Sequence, residues 1–522
     1  MTYRLSRRML VLCMVVLLGT LIGGAAWAAP RGTVVVALGS NIPTMDPWAH
    51  SARMAIITTN WHIHDNLFMR DLQTMKPIPG LALSAEPVDD LTWEITLRQG
   101  VKFHNGEPFN AQVVKFNLDR VLDPDNKLQG RADNTWLNDA KTGGEGEGVV
   151  VVDEYTVRLR TKEPYPMVHE RLTTWAMISK THFEKVGPEG YARDPIGTGP
   201  FRFVSWTKGQ RLELEANTTY WMGAPAVQKV IFRPIPEMAT QIAELVAGGV
   251  HIIRTVPPDQ IDYINNSGVA YVASAPILRV VYLNLDAAGR AEAHNPLTNP
   301  KVRRAIAHAV DVNAIMQHVL QGRAYATATG VSPLHFGFDA KIEAIPYDPE
   351  KAKQLLTEAG FANGFSTVLN SYSGSVVNGR QVTEAVMGYL SAVGIQAENK
   401  HFEDVGTWIK TMRAGKLNGI GLASWGSGAV FDADALLWRL TKTDEDFSYI
   451  SDPEIDRWLA AARATLDPKK RQELYSQVQQ RLVEQTYWVP MYGQHEILGV
   501  SNKLNFQASG DEILKVYNAS WK

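Results

Sequence analysis

Leu91–Pro124 reads LTWEITLRQGVKFHNGEPFNAQVVKFNLDRVLDP, and the changes of period inside it set the architecture. Thr92, Glu94 and Thr96 alternate with Trp93, Ile95 and Leu97, the period of two that a half-buried strand requires. Arg98-Gln99-Gly100 turns the chain. Val101-Lys102-Phe103 reads as a second short strand, and His104-Asn105-Gly106 as another turn. From Asn110 the spacing of Val113, Phe116, Asn117 and Val121 becomes helical. Strand, turn and helix follow one another closely, and no residue grouping in the stretch suits catalysis.

The same alternation extends outward. Thr33–Leu38 is a continuous apolar run and predicts a buried strand. Met54 to Phe68 is expected to be a helix. Val149 to Leu159, Arg211 to Glu215 and Val227 to Phe232 read as strands. Asn138 to Gly148 (NDAKTGGEGEG) reads as a polar surface loop. Two helices announce their own starts: Asp348-Pro349-Glu350 and Asp467-Pro468 place an N-cap aspartate before a first-turn proline. Gly360 is expected to end the first of them. Lys301 to Gly322 and Arg380 to Gly394 predict amphipathic helices, and Ile395 to Lys400 a strand. Trp488 to Tyr492 returns to strand character. Alternating helices and strands predict an α/β fold.

Composition bounds the function. The first 29 residues have the layout of a secretion signal: Arg4, Arg7 and Arg8, an apolar run from Met9 to Ile22, and an Ala26-Trp27-Ala28 cleavage site. Cys13 is the sole cysteine and lies inside that run after Leu12, so no lipid anchor is expected. The mature chain would then lack cysteine, disulfides and thiolate metal sites. Loss of the three arginines leaves 49 basic and 54 acidic residues, with no basic stripe, which disfavours nucleic acid as a partner. No later apolar run is long enough to span a membrane.

Leu91–Pro124 resembles the signature of the family 5 extracellular solute-binding proteins, the binding components of dipeptide, oligopeptide and nickel-type ABC importers. Asp194–Phe203 (DPIGTGPFRF) with Asn217–Trp221 (NTTYW), and the return to strands at Trp488–Tyr492, resemble the same family. The resemblance implies a periplasmic binding protein-like α/β fold of the type II, large-ligand class: two lobes with a hinge, plus an additional domain. It implies a discontinuous domain of residues 30–67, 196–279 and 490–522, a second of 68–195 and a third of 280–489. It also implies a monomer in the periplasm that captures a peptide-like or amine-bearing solute by lobe closure and delivers it to an ABC permease at the inner membrane. No cofactor is expected.

Catalytic motifs are missing. Gly421–Gly426 (GLASWG) has Leu422 where a nucleophile elbow around Ser424 needs glycine. There is no His-Glu-x-x-His and no phosphate-binding glycine loop. His62 and His64, two apart on a helix, could not share a metal ion, although on a strand they could; His104 reads as a polar residue stabilising its turn, and His401 and His495 have no visible partners. Neither enzymatic activity nor a protein-held metal is expected. The alternatives kept open are a nickel or other metal-chelate binder, an opine-like ligand, a secreted hydrolase, and an adhesion or chaperone module.

For the ligand, the resemblance singles out Trp425–Asp434 (WGSGAVFDAD). In peptide binders this region carries an aspartate for the ligand's α-ammonium, and Asp432 takes the matching position. The competing reading makes Asp432 or Asp434 a helix cap. Trp425 is expected as an aromatic wall. Asn41, Thr44, Tyr282, Asn284 and Tyr492 complete the candidates. The carboxylate-binding arginine of dipeptide binders has no counterpart in Asn370–Ser375.

Overall fold

The computed structural model describes residues 29–49, 58–59, 61–138, 146–426 and 430–522. Residues 1–28 of the secretion signal, residues 54–57 and 60 of the helix expected over Met54–Phe68, residues 139–145 of the Asn138–Gly148 loop and residues 427–429 lie outside the described residues.

Thr92–Leu97 is a strand and Ala111–Leu122 a helix. Asn110 caps that helix, its side chain accepting from the backbone N–H of Gln112 and Val113. This satisfies donors that the first turn leaves open. Val101–Phe103 makes only an isolated bridge, Lys102 to Pro108. Val149 to Leu159 is a hairpin and not one strand: Val149–Asp153 and Thr156–Arg160 pair antiparallel. These strands form a four-stranded sheet with Ala82–Asp89 at one edge. The expected Met54–Phe68 helix fails at its described end. Trp61 has a left-handed φ of 67°, and Phe68 opens the strand Phe68–Arg70.

Asp348 and Asp467 cap the helices Pro349–Glu358 and Pro468–Gln485, and Gly360 follows the first with φ 89°. The continuous helix expected over Lys301–Gly322 breaks at Val310. Asp311 begins a new cap, accepting from Ala314 N at 2.9 Å, so Pro300–Ala309 ends and a π-turn follows at Ile315–Val319.

An 11-stranded sheet spans much of the molecule. At its centre, Ala270–Leu285 pairs antiparallel with Trp488–Ser501 along nearly their whole lengths. Arg31–Leu38 lies towards one end, and Phe365–Tyr372, Ile395–Phe402 and Ile420–Trp425 lie at the other. Among the described residues the buried apolar side chains form three large cores. One gathers around Val280–Leu285 and the later helices, one around Trp93 and Phe109, and one around Val34–Leu38 and Phe232. The two long strands connect the first core with the third.

Candidate functional site: a charged cleft where two strands cross

The pairing of the two long strands shifts register twice near its middle, between Pro276 and Val280 and again between Val281 and Tyr282. Pro276 faces His495, and pairing resumes only at Val280 with Gly493. Proline cannot donate to a ladder, and a register break re-aims the side chains beside it. Ile277, Leu278 and Arg279 occupy the break. A cavity of about 250 Å³ lies over it, lined by Arg254, Arg279, Ser375, Gln494, His495 and Glu512, among others.

Two arginines and two glutamates organise this cleft. Arg254 Nε donates to Glu496 Oε1 at 2.8 Å, and its Nη2 donates to the Glu512 carbonyl at 3.0 Å. Arg279 Nη1 donates to Ser424 Oγ at 3.3 Å, and its Nε lies 3.5 Å from Glu512 Oε1. Ser424 Oγ also shares a 2.9 Å bond with Tyr372 OH. Ser424 is thus part of a polar network. Gly426 comes so near Arg279 that a Cβ there would sit 2.8 Å from Nη2.

The backbone around these charges is held in unusual conformations. Thr255 and Glu512 have φ of 54° and 61°, the left-handed region that residues other than glycine seldom adopt. Such conformations persist only where surrounding structure enforces them, and they gather at functional sites. Gln494 ties the rim together: its Oε1 accepts from Val377 N at 2.8 Å, and its Nε2 donates to the Ser375 carbonyl at 2.9 Å. Tyr325 OH bonds the Ile277 carbonyl at 2.6 Å and Ser332 Oγ at 2.7 Å. Burial pushes the Tyr325 hydroxyl up to about 12, so it stays protonated as a donor. Burial, with Arg323 nearby, lowers His495, whose Nδ1 meets Ser274 Oγ at 2.9 Å.

The residues chosen from sequence fall in several places. Asp432 is buried and bonded within the chain. Its Oδ2 accepts from Arg471 Nη2 at 2.8 Å, and its Oδ1 accepts from Asp434 N at 3.0 Å. Burial raises its carboxyl to about 6, even beside Arg471. Asp434 takes two bonds from Arg463, at 2.8 and 2.7 Å. Trp425 donates to the Ala435 carbonyl at 3.0 Å and lines a separate, larger cavity. Tyr282 and Asn284 are buried on the first long strand, Tyr282 against Trp488. Tyr492 is fully buried on the second. Thr44 Oγ1 accepts from Asp46 N at 3.1 Å, while Asn41 is exposed. None of the eight lines the crossing cleft.

His62 Nε2 accepts from Val516 N, and His64 Nε2 bonds Tyr191 OH at 2.8 Å. Among the described residues no group of three or more His, Cys, Asp or Glu side chains could hold a metal ion. Arg254, Arg279 and Glu512 carry no local sequence signal. Pro276 inside a strand-like run was the one mark of the break that assembles them.

The model of the bacterial extracellular solute-binding proteins, family 5, matches residues 76–448. The chain belongs to this family. The glutathione-binding protein GsiB of Salmonella typhi is 32% identical over 481 residues, covering 88% of each chain. Among solved structures, HbpA2 from Haemophilus parasuis superposes with a TM-score of 0.80 at 23% identity, over 94% of this chain and all of that one. The periplasmic binding protein DppA from Helicobacter pylori, in complex with the peptide STSA, gives 0.76 at 23% identity, covering 94% and 98%. Members of the family are extracellular solute-binding proteins. Among the described residues no helix is long and apolar enough to cross a membrane.

Proposed function

We propose that this solute-binding protein captures a small peptide or peptide-like zwitterion in the crossing cleft and hands it to an ABC permease. The observation that carries this reading is the placement of Arg254 and Arg279 beside Glu496 and Glu512 at the register break. A short peptide presents one ammonium and at least one carboxylate. Arg279, whose guanidinium has five N–H donors in a fixed plane, suits the carboxylate. Glu512 suits the ammonium. Charge-assisted bonds of this kind reject ligands that lack either group. GsiB is named for glutathione and DppA was crystallised with a peptide; both ligands have this charge pattern.

Capture needs no bond-making. We propose lobes of residues 30–67 with 196–279 and 490–522, of 68–195, and of 280–489, hinged where the long strands cross. Glu512 and Arg254 then belong to one lobe, and Ser375 and Ser424 to the opposing one. A ligand touching both sides stabilises the shut form by its differential affinity. The protein acts as a monomer in the periplasm after its signal is cleaved, and the shut form is what the permease distinguishes.

The test combines a thermal-shift screen of glutathione, dipeptides, tripeptides, amino acids, sugars and nickel chelates with small-angle scattering of the best hit. A peptide hit that raises the melting temperature and contracts the scattering envelope supports the reading. Stabilisation by a nickel chelate or a sugar alone overturns it.

A further inference from the structure

A cavity of about 220 Å³ opens at the start of the second long strand. It shares no lining residue with the crossing cleft or with the cavity beside Trp425. Its origin is a pairing that fails. The short strand Ala324–Tyr325 pairs antiparallel with Trp488–Ser501, at Gln494 and Gly493. The same register would carry residues 326–328 past Tyr492 and Met491 to Pro490. Pro490 has no N–H to give a ladder, and residues 326–328 leave the strand unpaired. Residues 326–328 and 488–491 then line the cavity between them. Residues 344–347 form another wall, fastened by His308. Its Nδ1 donates to the Pro346 carbonyl at 2.8 Å, and its carbonyl accepts from Asp348 N at 2.8 Å. Met316 brings in a third wall, the π-turn Ile315–Val319. Such turns are frequent at functional positions.

The walls are apolar and the charge is single. Met316, Leu482, Trp488 and Met491 are buried and face the cavity as lining. Among the described residues that line it, Asp311 alone carries a charge, and no arginine, lysine or histidine balances it there. Asp311 is half-buried, and its Oδ1 accepts from Ala314 N at 2.9 Å. That bond leaves most of the acceptor capacity of a carboxylate unused. Tyr347, 45% exposed, stands where the cavity meets solvent, its ring edge-on to Tyr389 with centroids 5.7 Å apart. Aromatic faces attract cations, and methionines adapt their shape to an apolar guest. An apolar cavity of about 150 Å³ admits benzene, so this one has room for a single ring with a short chain.

We propose that this cavity binds a small hydrophobic amine, its ammonium against Asp311 and its apolar body among Met316, Leu482, Trp488 and Met491. The site is independent of peptide capture in the crossing cleft.

The test is calorimetric titration of 2-phenylethylamine, at neutral pH, into the full mature protein. The expected result is saturable binding of one probe per chain. 2-Phenylethanol, with the same ring and chain but no charge, should bind at least about tenfold more weakly. Asp311→Asn removes the charge but keeps a residue that caps a helix equally well. It should weaken the amine about tenfold or more, bring it level with the alcohol, and leave the melting curve unchanged. Equal binding of amine and alcohol by the parent, or an amine affinity in Asp311→Asn equal to the parent's, overturns the proposal. So does the absence of saturable binding.

Discussion

Asp432 and Arg471 form a buried ion pair, Oδ2 to Nη2 at 2.8 Å, with both side chains nearly inaccessible to solvent. The pair is completed by Tyr475 OH, 2.9 Å from the same Nη2. Asp432→Asn would leave the Arg471 charge buried with its main counter-charge gone. Removing one partner of such a pair costs about 3–5 kcal/mol. Urea unfolding should show that loss, while peptide affinity measured on the folded variant changes little. A large affinity loss with unchanged stability would instead return Asp432 to ligand recognition, as its sequence position suggests.

Gly426 gives a test of the cleft with little effect on the fold. A methyl group there meets the mobile end of Arg279, 2.8 Å from its Cβ position. Gly426→Ala should therefore displace that guanidinium and weaken peptide binding about tenfold or more. The melting temperature should stay within a few degrees of the parent. Unchanged affinity would show that Arg279 does not touch the ligand.

Thr255 carries strain next to Arg254. A β-branched residue at φ 54° pays the left-handed penalty of roughly 1–2 kcal/mol. Thr255→Gly should raise stability by about 1 kcal/mol, read as a shift in the urea midpoint. Destabilisation on substitution would mean that the threonine side chain itself holds the turn.

Three buried histidines make the fold less stable in acid. Burial holds His64 and His335 neutral down to about 3 and His104 down to about 4, against 6.5 for the free side chain. Below pH 6.5 the unfolded chain takes up protons that these groups refuse in the folded state. Their contribution is therefore present above pH 6.5 and is lost as pH falls towards 4 and then 3. The slope through that window should approach 1.4 kcal/mol per pH unit for each histidine. His104→Asn should flatten the dependence of the urea midpoint between pH 6.5 and 4.5. An unaltered slope would remove His104 from this balance.

What could be read from the sequence was local. An aspartate before a proline caps its own helix whatever lies around it, so Asp348 and Asp467 were legible. The alternation of Thr92–Leu97 needs only a half-buried face. Breaks made by one side chain were not legible: Asp311 interrupts an otherwise regular apolar stripe by bonding its own backbone. The site was harder still. Asp432 meets Arg471, 39 residues away, and Arg254 meets Glu496, 242 away. No spacing rule joins such pairs; Arg254 comes to Glu496 only because the strand Ile252–Ile253 pairs antiparallel with Trp488–Ser501. The family resemblance gave the class of molecule correctly, because it rests on contiguous motifs.

The most direct measurement is calorimetric titration of glutathione and a panel of di- and tripeptides into the parent protein and the Arg279→Ala variant. Capture at the strand crossing predicts saturable one-to-one heat for at least one peptide with the parent, and a loss on the order of 2–4 kcal/mol in the variant. Equal affinity in the two proteins, or no peptide heat in the parent, would contradict it.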